Sequence, residues 1–97
     1  MATIISRRKL EPGDFDNWES RFVSAADVRK QAGCRGIRRF RSVDDPNEVV
    51  VIFDWDSHEN ARRFIEGNVK KIQEMNPGAP APVMQTIYVD EFGPLEN

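Results

Sequence analysis

From Val49 to Phe53 the chain is apolar at every position, and every residue there is β-branched or aromatic. Such a run has the length of a strand and is too short for a helix. Apolar residues at consecutive positions, instead of alternate ones, predict a strand covered on both faces. Asp56-Ser57 then supplies an N-cap, and Ala61, Phe64 and Ile65 follow at helical spacing. A chain of 97 residues provides one layer of helices, which covers one face of such a strand. The other face calls for a second copy of the same chain.

The remaining pattern falls into place around this strand and helix. Residues 3–10 predict a first strand, ended by Pro12-Gly13. Asp14 and Asp16 are both candidate N-caps, and Asp16 with Glu19 three residues on has the form of a capping box. Phe15, Trp18, Phe22, Ala25 and Ala32 share one side of a helix that runs to Ala32, with Arg29 and Lys30 in its last turn and Gly33 as its C-cap. Residues 34–43 predict a second strand, and Asp44-Asp45-Pro46-Asn47 a turn into the third. The later helix is expected to weaken at Glu66-Gly67-Asn68 and to resume with Val69, Ile72 and Met75 on one face. Residues 76–82, with three prolines, predict an extended connector, and residues 83–92 the last strand. The order β-α-β-β-α-β predicts a single α+β domain over residues 1–97, a ferredoxin-like sandwich with a four-stranded antiparallel sheet and helices on one face.

Alternation along the strands divides each into two sets. Val49, Val51, Phe53 and Trp55 form one set of the third strand, and Val50, Ile52 and Asp54 the other. On the last strand Val83, Ile87 and Val89 are assigned to the helices, leaving Thr86, Tyr88 and Asp90 outward. These assignments predict an open side carrying Val51, Phe53, Trp55 and Tyr88, an apolar patch of a size that monomers seldom expose. Two sheets packed face to face in a homodimeric α+β barrel would bury it and enclose a cavity.

The stretches LEPGDFDNWESRF (residues 10–22), AGCRGIRRFRSVDDPNEVVVIFDWDSHENARRF (residues 32–64) and IYVDEF (residues 87–92) resemble the dimeric α+β barrel superfamily, in particular its antibiotic-biosynthesis-monooxygenase branch. The resemblance covers nearly the whole chain. It implies a homodimer with a ligand cavity between sheet and helices, and activities as different as cofactor-free oxygenation of polyketide phenols, polyketide cyclisation, lactone isomerisation and haem degradation. Trp55 matches the tryptophan that lines the cavity in the monooxygenase and haem-degrading branches. The haem-degrading branch also uses an Asn on the first strand and a His on the later helix. This chain offers Ser6, Arg7 and Arg8 on the strand and no His between Val69 and Met75, which disfavours that activity.

Composition narrows the chemistry. A net charge of −2 gives no overall attraction to nucleic acid or anionic membrane, and no apolar stretch approaches the roughly 20 residues of a membrane-spanning helix. The N-terminal apolar run is followed by its basic residues instead of preceded by them, so it reads as a strand and not as a signal peptide. Cys34 stands alone, which excludes an internal disulfide and fits a reducing, cytoplasmic setting. One His and one Cys do not make a zinc or haem site. The expectation is a protein without metal or cofactor. RNA-recognition modules share the element order, but Glu48 to Trp55 lacks the glycines and leading base of their signature.

The candidate site residues each have two readings. Phe53 and Trp55 would wall an apolar pocket that stacks on an aromatic ligand, or form core and interface. Arg8, Arg39 and Arg41 would hold an anionic phenolate, enolate or carboxylate, or form ion pairs on the surface. His58, Tyr88 and Asp90 are the candidate proton donors and acceptors, with an exposed first-turn position as the alternative for His58. The resulting expectation is a small cofactor-independent enzyme, monooxygenase- or cyclase-like, acting on a hydrophobic or aromatic small molecule. A non-catalytic dimeric small-ligand-binding or stress-associated protein with the same cavity is the alternative.

Overall fold

The computed structural model describes residues 2–75 and 84–96. The elements are β1 (Ala2–Lys9), α1 (Phe15–Ser24), α2 (Ala26–Ala32), β2 (Cys34–Arg41), β3 (Glu48–Trp55), α3 (His58–Met75) and β4 (Met84–Val89). They form a four-stranded sheet in the order β2-β3-β1-β4, antiparallel throughout, the ferredoxin-like arrangement expected from the element order. The expected connector over residues 76–82, the start of the last strand at Val83 and the side chains of Ile72 and Met75 lie outside the described residues.

The helix expected to run unbroken to Ala32 is divided at Ala25 into α1 and α2. The Ser24 hydroxyl donates to the carbonyl of Arg21 at 2.8 Å, a local bond of the kind that bends helices. Asp14 is the N-cap residue of α1, although its side chain caps no backbone N–H, and Asp16 lies inside the helix, so the capping box does not form. By contrast α3 is continuous through Gly67, where a weakening was expected. A helical glycine costs about 1 kcal/mol relative to alanine, which the packing of Phe64, Ile65 and Val69 against the rest of the protein outweighs. The N-cap of α3 is as read: Ser57 Oγ accepts from the Asn60 N–H at 3.1 Å.

Gly33 carries the turn from α2 into β2. Its φ of 128° is a region that L side chains rarely adopt, and its N–H reaches the carbonyls of Arg29 and Lys30. Its own carbonyl accepts from the Asp56 N–H at 2.9 Å, tying the end of α2 to the start of α3. A Cβ at this position would lie 2.5 Å from the Asp56 carboxylate. Gly33→Ala is therefore expected to lower stability by about 1–3 kcal/mol, read as a shift of the urea midpoint with an unchanged slope; a neutral result would mean that the junction relaxes freely.

The helices cover the face opposite to the one expected. Val49, Val51, Phe53 and Trp55 are all buried beneath them, alternating with half-exposed Val50, Ile52 and Asp54. In the ladder Ile4 stands opposite both Phe53 and Tyr88, so Tyr88 also looks toward the helices, whereas Ile87 and Val89 stand opposite Ile5 and Thr3 on the open face. Parity sorts strand residues into two sets but does not say which set the helices take. The bulky set wins here because aromatic rings meet it from above. Phe22 lies 6.1 Å from Phe53 and Phe64 lies 5.4 Å from Trp55, centroid to centroid. The apolar open face still exists, with different members: Ile5, Phe40, Val50, Ile52, Ile87 and Val89. Phe40 is 48% exposed and Ile87 55%.

Candidate functional site

Between the sheet and the helices lies a cavity of about 210 Å³. Its floor is Val49, Val51 and Phe53 of β3, beside Ser6 and Arg8 of β1, and Trp18 and Phe22 of α1 close one side. Ile65, Asn68 and Val69 of α3 close the other, and Arg29 of α2 adds a charged group. The period of each element explains these positions. Arg8 is an even-numbered β1 residue like buried Ala2 and Ile4, and stands opposite Val49. Asn68 and Ile65 lie one turn apart on α3.

The lining combines apolar walls with two guanidinium groups and, among the described residues, no carboxylate, imidazole or phenol. Arg29 is only 7% exposed and its guanidinium lies over the Phe22 ring at 4.0 Å. Its Nε is fully enclosed with no hydrogen-bond partner among the described residues. Burial pushes the pKa of Arg29 down from its ordinary value; Cys34 opposes the shift and Arg39 adds to it. The same cause, followed by repulsion from Arg21, lowers that of Arg8. Arginine nonetheless stays charged in proteins, so the cavity holds two desolvated cations.

Of the residues singled out from sequence, Arg8 and Phe53 line this cavity. Trp55 does not. It is 1% exposed, packed on Phe64, with its indole N–H unpartnered among the described residues. Arg39 and Arg41 lie at the far side of α1, in a separate hollow with Phe15 and Glu19. Arg39 bonds Glu19 at 2.6 Å, and Arg41 donates to the Pro46 carbonyl while stacking on Phe15. His58, Tyr88 and Asp90 come together with one another, at the outer edge of the sheet. His58 Nε2 is 2.9 Å from the Val89 carbonyl and 3.6 Å from Asp90, and its ring meets Tyr88 edge-on at 6.4 Å. The Arg62 guanidinium covers Tyr88 at 3.9 Å. Tyr88 lines an open hollow along α3 that shares Ile65, Val69 and Met84 with the cavity.

Arg29 and Asn68 were not singled out by sequence as site residues. For Arg29 a signal exists: it follows Phe22 by seven residues, as Phe22 follows Phe15, which places the three near one helical stripe. A cation continuing an aromatic stripe is the mark of a charge facing inward. Cys34, by contrast, is buried beside Trp55, and burial raises its thiol pKa, which makes it inert packing.

The sequence profile of the antibiotic biosynthesis monooxygenase family matches residues 1–67, from β1 through the first half of α3. The chain belongs to that family. No curated protein matches the chain. Solved structures of the family share its fold along the whole length. SnoaB of Streptomyces nogalater, a cofactor-independent oxygenase, is 17% identical with a TM-score of 0.68, over 99% of this chain and 97% of that one. A protein of Nitrosomonas europaea described as an antibiotic biosynthesis monooxygenase is 12% identical with a TM-score of 0.70, over 96% of this chain and 91% of that one. A variant of MhuD, with two manganese protoporphyrin IX molecules bound per active site, is 16% identical with a TM-score of 0.68 over the full length of both chains. Among the described residues of this family member, no helix is long and apolar enough to cross a membrane, and no group of His, Cys, Asp and Glu could hold a metal ion.

Proposed function

We propose that this family member is a small cofactor-independent monooxygenase that oxidises an aromatic or enolisable small molecule in the cavity between sheet and helices. The observation that carries this reading is an apolar, aromatic-walled cavity whose polar groups include two guanidiniums that form no ion pair among the described residues. A phenolate or enolate would sit there with its oxygen on Arg8, whose charge lowers the pKa of the bound hydroxyl. Such an anion can itself reduce dioxygen: the para C–H of a phenol, or the CH₂ of an enolisable compound, becomes C=O, one oxygen atom enters the product and the other leaves as water. An engineered cavity of about 150 Å³ takes one benzene. A volume of about 210 Å³ therefore suits a single substituted ring better than a macrocycle. The open face, with Ile52 at its centre, is the surface through which two copies would join.

The test is oxygen uptake by purified protein with a panel of hydroquinones, phenols and 1,3-dicarbonyl compounds, without added flavin or metal. Turnover of at least one class is expected. Arg8→Met should reduce kcat/KM about 10- to 100-fold, the range of one charge-assisted hydrogen bond. Uptake unaffected by that change would remove Arg8 from the reaction. The lack of a proton acceptor among the described lining residues favours one second reading, a non-catalytic dimeric binder of the same ligands. Saturable binding without uptake would establish it.

A further inference from the structure

We propose that Arg29 and Arg8 together form a recognition site for a single-ring aromatic carboxylate bearing a second anionic or acceptor group across the ring. The proposal rests on the cavity being the ligand site and deepens that reading by fixing the charge of the ligand, whatever reaction follows.

The two cations enter from opposite ends. Arg8 projects from the row of the sheet that contains Val49. Arg29 stacks on Phe22, which lies against Phe53. Val49 and Phe53 are four residues apart on one strand, roughly 13 Å along it. A ring lying on Val51 between them would present one substituent to each guanidinium, and the Asn68 amide on the facing wall can donate to either.

Among the described residues the charge of Arg29 is met by the Phe22 ring and by no carboxylate. Arg39, which also approaches the Phe22 ring, at 5.2 Å, is neutralised by Glu19. Arg29 forms no ion pair with any carboxylate among the described residues, although its side chain is the more deeply buried of the two. Residues 76–83 contain no acidic side chain at all. A buried, unpaired guanidinium destabilises a fold, and an apolar residue of similar volume is more stable in its place. Its presence beside a cavity is accounted for by an anion that arrives from outside. A carboxylate matches the planar fork of arginine with two parallel bonds, which a lone hydroxyl cannot. At the Phe22 end, therefore, the structure favours the carboxylate.

Trp18 lines the cavity and reports on it directly by fluorescence. The probes are 4-hydroxybenzoate, benzoate, and the neutral analogues 4-hydroxybenzamide and benzyl alcohol, titrated by Trp18 quenching and by calorimetry. 4-Hydroxybenzoate is expected to bind best and the neutral analogues at least about tenfold more weakly. Arg29→Met should raise the melting temperature while weakening 4-hydroxybenzoate roughly 10- to 100-fold and the neutral probes little. Arg29→Lys, which keeps the charge and loses the fork, should fall between them, and it serves if the methionine variant does not fold. Equal binding of acids and neutral analogues overturns the proposal and leaves the cavity as the site. So does an Arg29→Met protein that is less stable and binds the acid normally, since Arg29 is then a packing cation for Phe22. Binding of none of the four probes, in protein whose oxygen uptake responds to Arg8→Met, overturns the proposal alone. Without that response, the cavity reading falls with it.

Discussion

The protein is expected to be a dimer at micromolar concentration, and Ile52→Asp is expected to yield a folded monomer. Ile52 occupies the middle of the open face, with Ile5 opposite it on β1 and Arg38 opposite it on β2. In an isolated chain an aspartate there is half-exposed and has Arg38 beside it, so the sheet tolerates it. Between two packed sheets the same carboxylate is buried twice, once from each copy. Leaving a buried charge without adequate pairing costs on the order of 3–5 kcal/mol. At 1.4 kcal/mol per tenfold, two such charges weaken association by more than about 1,000-fold. Sedimentation equilibrium and circular dichroism on the same samples separate the effects: monomer mass with a native spectrum is the expected result. A parent protein that is already monomeric, or a variant that stays dimeric, would show that the open face is not where copies meet.

Trp55→Ala should be nearly as damaging, and through the fold instead of the assembly. Trp55 is among the largest fully enclosed side chains, closed in by Phe64 above and flanked in the ladder by Ala2 and Cys34. Truncating a buried tryptophan costs about 3–5 kcal/mol, a large fraction of the 5–15 kcal/mol that holds an ordinary domain together. In a chain of this length that lowers the melting temperature by more than about 12 °C. Trp55→Phe keeps the stacking on Phe64 and deletes an N–H that has no partner among the described residues, so it should cost less than about 1.5 kcal/mol. It should also leave quenching of Trp18 by 4-hydroxybenzoate intact, and with a cleaner signal. A phenylalanine variant of normal stability that no longer binds would instead make Trp55 part of the ligand site.

The contrast between these two variants shows how far the amino-acid pattern could be read. The run from Val49 to Phe53 correctly announced a central strand with two apolar faces, since Val50 and Ile52 are only half-covered by the chain itself. Pattern alone could not say which set the helices would choose. That depended on Trp18, Phe22 and Phe64 finding Phe53 and Trp55, a contact between residues distant in sequence. The site was legible in the same uneven way. Arg8 and Phe53 were recoverable because strand parity fixes them, once one knows the covered face. Arg39 and Arg41 share that parity, yet β2 is an edge strand, and α1 separates their side chains from the cavity. His58, Tyr88 and Asp90 do meet, because α3 begins where β4 ends, but they meet outside the cavity. Arg29 escaped notice because a basic residue in the last turn of a helix has an ordinary explanation in the helix dipole. Its seven-residue spacing from Phe22 hints at an inward position, and its depth beside that ring establishes it.

The position of β2 has a consequence for what this protein avoids. Among the described residues it forms one border of the sheet, so one side of its backbone has no strand partner there. Arg35, Arg38, Arg39 and Arg41 all lie along it, and a shift in register at Cys34 and Gly36 disturbs its regularity. A second β2 laid alongside would bring two rows of guanidiniums together, and like charges across a strand pair repel. The opposite border, β4, spans only six residues. Endless edge-to-edge growth into fibres is thus discouraged on both margins, which leaves the flat of the sheet as the surface for the proposed pairing of two copies.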